Sequence, residues 1–456
     1  TRQRGMQNWD GKIHYITKTG QFKIGLLPKV YDMCIEMGIK PKVVDMRQPL
    51  PKVSKVVTNI GKYKLRPEQE KAVKSVINNK VGNTPFHIGV LDYTVNAGKT
   101  LIMSSLYLSY KKQLKTLLIT NDSDWLNQAR EEFKQYLPGE DITFVQGKVL
   151  NWSNFTIGMV QSISRNMRFY QKELSQIDMV LIDEADQGGS KQYQNVITRL
   201  FNTRIRIGLS GTIYMSKLAK DKVKNMNLEC FFGKVIAEFK LKDSIKKGYS
   251  TKTVVKMVPG KPWYGNWESD CISYKEIYDD SITNCYTAWL MAYNRLLWNL
   301  NQGRYPALVV CKHIAHCENL YKFFKKKLGD AYNIAYVHVN TPSKLRQQIM
   351  KDFREGKIDI LVSTTIIARG KNFPKLKYLL NTASMDSQEK SIQFLGRLVR
   401  TDESKNKVYL DDLHYPGNYL DRHGKHRKQY YQRQELKVIL LDKLWKKHPN
   451  HSLIKS

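Results

Sequence analysis

Residues 91–100 read LDYTVNAGKT. An apolar strand runs into this stretch and a helical segment leaves it at Lys99. The turn between them closes on Ala97, Gly98, Lys99 and Thr100, the second half of a phosphate-binding loop of the form G-x-x-x-x-G-K-[ST]. Backbone N–H groups at a helix N-terminus point outward and carry positive potential, which suits phosphate oxygens. Gly98 lets the backbone approach closely, Lys99 brings a point charge for the β and γ phosphates, and Thr100 offers a hydroxyl to Mg²⁺. Tyr93 stands where the pattern begins with glycine; its ring is expected to turn away without removing any N–H donor. Asn96 replaces another frequent glycine and tolerates a left-handed backbone better than most residues. The loop is therefore expected to bind a nucleotide with altered shape, against the rival reading of a chance AGKT between strand and helix.

Two further stretches argue against chance. In MVLIDEAD, residues 179–186, an apolar strand delivers Asp183 and Glu184 at its polar C-terminal end, where an open α/β sheet places its ligands. Asp183 can hold Mg²⁺ through water, and Glu184 can orient and deprotonate an attacking water. In SIQFLGRLVR, residues 391–400, Arg397 and Arg400 stand three apart. On a continuous helix they share a face and could neutralise charge developing on a γ-phosphate. A solvated basic helix face is the alternative for that pair.

The surrounding chain alternates short apolar strands with helical segments twice, which predicts an α/β protein with two parallel sheets flanked by helices. The expected organisation is a small α+β unit at 1–50, whose NWDGKIHYI joins aromatic to basic residues in a mix that suits contacts to a nucleic-acid duplex or junction, a linker at 51–62 and a first α/β domain at 63–240. A polar, aromatic connection at 241–284 and a second α/β domain at 285–456 with a basic C-terminal segment complete the chain. The N-terminal unit reads as two alternating strands and an amphipathic helix. In the C-terminal HGKHRKQYYQRQ, basic residues could track phosphates while tyrosines stack on bases, the alternative being a solvated basic helix. KPWYGNWESD in the connection reads as a packed aromatic segment or a strand-separating wedge.

Charge narrows the partner. Among 456 residues, 75 Lys and Arg against 41 Asp and Glu leave +34, far more than solubility requires. Such a field favours a polyanion, nucleic acid first, since neutralising phosphates releases condensed counterions. An anionic membrane is the rival, but no run of about 18 apolar residues offers a span, and no signal peptide is visible. The six cysteines have no framework spacing and are expected to be reduced thiols. CKHIAHC, residues 311–317, holds four possible zinc ligands, but Cys317 reads as a small helix residue and His313 as a loop residue.

Taken in order, these motifs resemble those of superfamily 2 helicases, and within them the phage UvsW-type DNA helicases. LRPEQEKAV resembles the adenine-sensing Q motif, TVNAGKT motif I, LITNDSDWLNQ motif Ia, GMVQSI motif Ib, DEAD motif II and LSGT motif III. KHIAHCENL, STTIIARGKNF and QFLGRLVR resemble motifs IV, V and VI, and NWDGKIHYITKTGQFKIGLLPKV and DEADQGGSKQYQNVI narrow the match. The resemblance implies two tandem RecA-like domains closing on ATP and Mg²⁺, with nucleic acid crossing both. Gln69 would read the base, joined around the nucleotide by Asn96, Ala97, Gly98, Lys99, Thr100, Gly370 and Gln393. Ser210, Gly211 and Thr212 would couple hydrolysis to movement. Thr120, Asn121, Gln161, Ser162, Lys312, His313, Thr364 and Thr365 would grip the phosphodiester backbone. The implied protein is a monomer acting on forked or branched DNA in the host cytoplasm. RNA remodelling and a non-catalytic nucleic-acid clamp remain the other readings. The spelling DEAD suggests RNA helicases, but Gln393 stands where those carry histidine, and motif III reads SGT rather than SAT.

Overall fold

The computed structural model describes residues 12–110, 113–121, 123–147, 149–213, 219–260, 273–368 and 373–441. The chain divides into two compact units: the residues up to Tyr93 with Gly98–Glu238, and the residues from Phe239 onward with Thr94–Ala97. No described helix is long and apolar enough to cross a membrane.

In the first unit, the strand Ile88–Tyr93 and the strands Met179–Asp183 and Ile205–Ser210 are buried at every position. Such unbroken apolar runs suit central strands of a parallel sheet covered on both faces. Among the described residues the sheet has eight strands in the order Val235–Phe239, Ile88–Tyr93, Ile205–Ser210, Met179–Asp183, Thr116–Thr120, Phe155–Met159, Ile142–Gln146 and Val149–Leu150. The pairings from Ile88–Tyr93 through Ile142–Gln146 are parallel, and the last is antiparallel. Register sets Asp183 beside Leu209 and Ser210 beside Asp92, so the phosphate loop and the two carboxylate-bearing or hydroxyl-bearing segments emerge from neighbouring strand ends.

Among its described residues the second unit carries a sheet of seven strands, all parallel, in the order Ile334–Val337, Ile360–Thr364, Ala307–Cys311, Tyr378–Asn381, Lys407–His414, Lys252–Pro259 and Val438–Leu440. Both units are thus α/β layers of RecA-like type, in tandem.

Three expectations change. The N-terminal segment forms one bridge, Ile16 to Phe22, then a 3-10 turn Ile24–Leu26 and a helix Leu27–Glu36, rather than two strands and a helix. It is packed onto the first unit: a Cβ on Gly25 would collide with the Glu229 carbonyl oxygen, and Lys29 pairs with Glu229 at 2.7 Å. The 51–62 stretch is also tied down, since Ser109 Oγ accepts from the Val57 amide and Ser105 donates to the Val57 carbonyl. The 241–284 stretch contains a full strand, because Lys252–Pro259 pairs along all eight residues with Lys407–His414. KPWYGNWESD and Trp9 lie outside the described residues.

The basic C-terminal segment is likewise corrected. Within the helix Asn418–Arg433, Tyr430 and Tyr431 are buried, so neither offers a ring to a base. Arg427 is fully buried, its Nε and Nη2 donating to Asp412 at 2.8–3.0 Å. Asp412 also accepts from Asn381 and from the Tyr431 hydroxyl. Removing one partner of such a pair strands the other charge in the core. Asp412→Ala is therefore expected to destabilise the protein by about 3–5 kcal/mol. Asp330→Ala, which breaks the exposed Lys325 pair, should leave stability close to the parent's, because solvent screens an exposed ion pair. Urea unfolding of both variants against the parent measures the difference.

Candidate active site

The phosphate loop leaves the Ile88–Tyr93 strand and ends where the helix Lys99–Ser109 begins. Tyr93 closes the strand as a fully buried residue, and its hydroxyl donates to the Glu68 carbonyl at 2.7 Å. The ring therefore does turn away from the loop, and it anchors the helix Pro67–Ile77 beneath it. Asn96 and Gly98 both take left-handed backbone angles, φ 65° and 72°. This is the conformation that glycine and asparagine tolerate best. Gln69 is buried against the same loop. Its Oε1 accepts from the Arg66 amide at 2.8 Å, and a Cβ added to Gly98 would collide with its Nε2. The close approach that a phosphate cradle needs is thus available only with glycine at 98. Ala97 is buried and Thr100 is the second residue of the helix, partly exposed.

The Lys99 ammonium lies 3.8 Å from Asp183 Oδ1. Burial is the largest influence on Lys99 and pulls its pKa down, but Glu184, Asp183, Asp186 and Asp92 together outweigh it and hold the group above the usual lysine value. Asp183 ends its strand as a buried residue, and Glu184 comes next at φ 52°, an uncommon angle for a side-chain-bearing residue. That left-handed step separates the directions of the two carboxylates. The donor set fits a magnesium nucleotide: a carboxylate, a threonine at the start of a helix, an ammonium and a glycine-lined turn.

Asp186 is a member of the site that sequence reading passed over. It is buried and accepts from Ser210 Oγ at 2.9 Å, while Ser210 and Thr212 hydroxyls lie 3.1 Å apart. Motifs II and III are therefore linked by a direct hydrogen-bond path, with Gly211 between the two hydroxyl residues. The fourth letter of DEAD was the available signal. The next residue, Gln187, was also missed; its side chain accepts from Asn121 Nδ2. Gln161 Nε2 reaches the Asn121 carbonyl at 3.4 Å, and Ser162 Oγ accepts from the Gly147 amide at 2.9 Å. Thr120 is buried at its strand end. The structure thus brings Asn121 and Gln161 together, with Thr120 and Ser162 built into their supports.

In the second unit, Gln393 and Arg397 lie on the helix Gln388–Leu398, but Arg400 falls beyond its end. The shared helical face expected for the two arginines is therefore absent. The segment after the helix is held instead by Thr251, whose amide donates to the Val399 carbonyl at 2.8 Å and whose hydroxyl donates to the Arg400 carbonyl at 3.0 Å. Lys405 adds donations to the Leu398 and Leu376 carbonyls, and burial draws its ammonium down to about 8. Thr364 ends its strand, and Thr365 Oγ1 accepts from Lys390 at 3.2 Å. Gly370 lies outside the described residues.

Lys312 sits with its ammonium 3.8 Å from the Tyr274 ring centroid, and His313 meets Tyr278 edge-on at 4.8 Å. Burial lowers the pKa of both. Within CKHIAHC, Cys311, His316 and Cys317 are buried, and His316 Nδ1 hydrogen-bonds the Tyr278 hydroxyl at 2.9 Å. No group of three or more metal-ligating side chains occurs among the described residues.

Comparison with known proteins bears on this geometry. Residues 62–215 match the family described as type III restriction enzyme, res subunit, and residues 290–402 match the helicase conserved C-terminal domain. The provisionally named helicase 22 of Sulfolobus islandicus filamentous virus (isolate Iceland/Hveragerdi) is 22% identical over 77% of this chain and 64% of its own length. The provisionally named ATP-dependent helicase IRC3 of Saccharomyces cerevisiae is 23% identical over 76% of this chain and 51% of its own length. The chain therefore spans between about half and two thirds of these curated relatives. The ATP-dependent type ISP restriction-modification enzyme LlaBIII bound to DNA shares the fold over 83% of this chain and 31% of that one, at TM-score 0.61 and 15% identity. T4 UvsW covers 95% of this chain and 90% of its own at 19% identity, with a TM-score of 0.40 that carries no argument for closer kinship. The phosphate loop, the carboxylate strand and Ser210–Thr212 fall within the first matched region, and Arg397 and Arg400 within the second, an arrangement that supports a helicase with two such domains.

Proposed function

We propose that this chain is an ATP-driven DNA helicase or translocase that remodels branched DNA such as forks, junctions and R-loops. The observation that carries the reading is the Lys99, Asp183 and Glu184 constellation at adjacent strand ends, joined through Asp186 to Ser210 and Thr212. Bound Mg-ATP supplies the phosphoryl group whose transfer to water drives movement. Toward it, Gly98 and the helix N-terminus offer N–H groups, Lys99 offers charge to the phosphates, and Thr100 with Asp183 would hold Mg²⁺. Glu184 takes the proton of the attacking water. Arg397 and Arg400 are assigned to the charge that develops on the γ-phosphate, Gln69 to the base, and Gln393 and Gly370 to the nucleotide's surroundings. A change at the phosphates felt by Asp186 passes to Ser210 and Thr212 by hydrogen bonds, which is the proposed coupling route.

A nucleic-acid partner is favoured by the net charge of +34, and DNA over RNA by the motif VI and III spellings that depart from the DEAD-box RNA helicases. Branched structures and the UvsW-type assignment rest on motif order and the N-terminal segment. Thr120, Asn121, Gln161, Ser162, Lys312, His313, Thr364 and Thr365 are proposed backbone contacts; such contacts fix register without reading sequence, so shape would select the substrate.

ATPase rate with single-stranded DNA, duplex, fork, four-way junction and RNA tests the reading; the largest stimulation is expected from forks or junctions, and preference for RNA would transfer the assignment to RNA remodelling. Glu184→Gln should retain ATP binding while turnover falls by about 10²- to 10⁴-fold, and undiminished hydrolysis would remove Glu184 from its role. Gly98→Ala should weaken binding of a fluorescent ATP analogue through collision with Gln69 and backbone strain. Equal binding by the parent and Gly98→Ala would sink the cradle.

A further inference from the structure

Outside the motor residues, the second unit carries a group of cations gathered on two aromatic rings. Side chains alternate along a strand, so Lys407, Tyr409 and Asp411 share one sheet face, and register sets Lys256 beside Asp411 on that face. The helix Tyr286–Leu300 contributes Arg295 and Trp298. Arg304 comes after it, stacked 3.6 Å from the Tyr409 ring centroid. Around Trp298 lie the Lys256 ammonium at 4.8 Å, the Arg295 guanidinium at 5.0 Å and that of Arg304 at 4.8 Å, and Lys407 lies 5.7 Å from Tyr409.

Structural pairing accounts for one of these cations. Asp411 takes Arg295 at 2.5 and 2.9 Å and also accepts from Asn299 and Tyr378. Among the described residues, Lys256, Arg304 and Lys407 have no carboxylate within 4.0 Å, and Arg304 donates instead to the Asn299 amide oxygen at 2.8 Å. Three like charges held this close repel one another, and burial with those neighbours lowers the Lys256 pKa despite Asp411. A solvated basic face would spread its cations apart; here Lys256 and Arg304 converge on an indole that is 40% exposed, and Lys407 lies over the Tyr409 ring that Arg304 also meets. Lys407 opens its strand and Arg304 precedes the strand Ala307–Cys311. The group therefore lies toward the N-terminal side of the sheet, away from the C-terminal strand end that bears Thr364.

We propose that Lys256, Arg304 and Lys407 with Trp298 form a second binding site for a nucleic-acid single strand, the cations taking phosphates and the exposed indole taking an unpaired base. This rests on the nucleic-acid reading above. Phosphates relieve the crowding of unpaired cations, and an indole flanked by cations suits stacking, which needs no base sequence. A strand leaving the motor would thereby gain a second hold.

The test uses the full chain with labelled oligo(dT), oligo(U) and a duplex of matched length. Trp298→Ala should weaken binding of either single strand by about tenfold while leaving the duplex unchanged. Arg304→Ala and Lys407→Gln should each lower the slope of log affinity against log salt by about 1. Lys407 is an exposed residue at a strand start, so its variant retains the parent melting temperature and removes folding as an explanation. Maximal ATPase at saturating strand should stay at the parent rate, because the site lies outside the nucleotide residues. Unchanged affinity and slope in Lys407→Gln and Trp298→Ala would overturn the site, as would equal loss on duplex and single strand from Trp298→Ala. Stimulated ATPase with parent-like binding in the variants rejects this site alone. Salt-steep binding that the variants weaken, without nucleic-acid-stimulated ATPase in the parent, supports the site and rejects the motor. Equal effects on oligo(dT) and oligo(U) assign a site blind to the sugar; an effect on one alone names the strand it takes.

Discussion

A largely buried ammonium kept charged by four carboxylates is the constraint around which the first unit is arranged. Desolvating Lys99 without compensation would cost several kcal/mol, and the compensation comes from Asp92, Asp183, Glu184 and Asp186. Asp92 stands far from the other three in the chain. Only a parallel sheet in which Ile205–Ser210 lies between Ile88–Tyr93 and Met179–Asp183 brings their ends to one edge. The same order puts Ser210 within reach of Asp186, so the charge balance and the hydrogen-bond route to motif III have one geometric origin.

Tyr93 shows how a departure from a motif can be absorbed. The glycine it replaces is ordinarily useful for its freedom of φ, but here the position is the last residue of a strand, where φ is extended and a side chain is allowed. The ring enters the core, and the hydroxyl takes up a carbonyl from the helix that carries Gln69. The left-handed demand moves to Asn96 and Gly98, and at Gly98 the neighbouring Gln69 leaves no room for a Cβ.

In the second unit, one strand distributes opposite tasks to its two faces. Asp411 and Asp412 are consecutive and so point apart; Arg295 from one helix neutralises the first, and Arg427 from another neutralises the second. The strand is clamped from both sides by charge-assisted bonds in surroundings where an unpaired partner would be costly. Lys407 and Tyr409, on the Asp411 face, inherit the period but not the carboxylate, which is how uncompensated cations come to gather beside Trp298.

Much of the first unit was legible in the chain itself. Apolar runs of strand length, a turn ending in Gly98 and Lys99, and carboxylates directly after MVLI are local features, and their consequences are local. Phosphate loop, helix start and the strand-end position of Asp183 needed no partner to be deduced. The strand Lys252–Pro259 was hidden because its lysines and proline resemble a connection until the pairing with Lys407–His414 is seen. The terminal tyrosines looked available for stacking because composition does not tell which face of an amphipathic helix is covered. Arg400 left the helix because Thr251, 149 residues earlier, holds the chain after Leu398. Sequence by itself therefore determined which chemical groups stand at strand ends and turns, since backbone geometry acts over a few residues. Tertiary structure decided which charges are cancelled and which are left facing outward, because a carboxylate and its cation meet only through folding, and a buried ion needs a counter-charge or, like Lys405, backbone carbonyls to receive its hydrogen bonds.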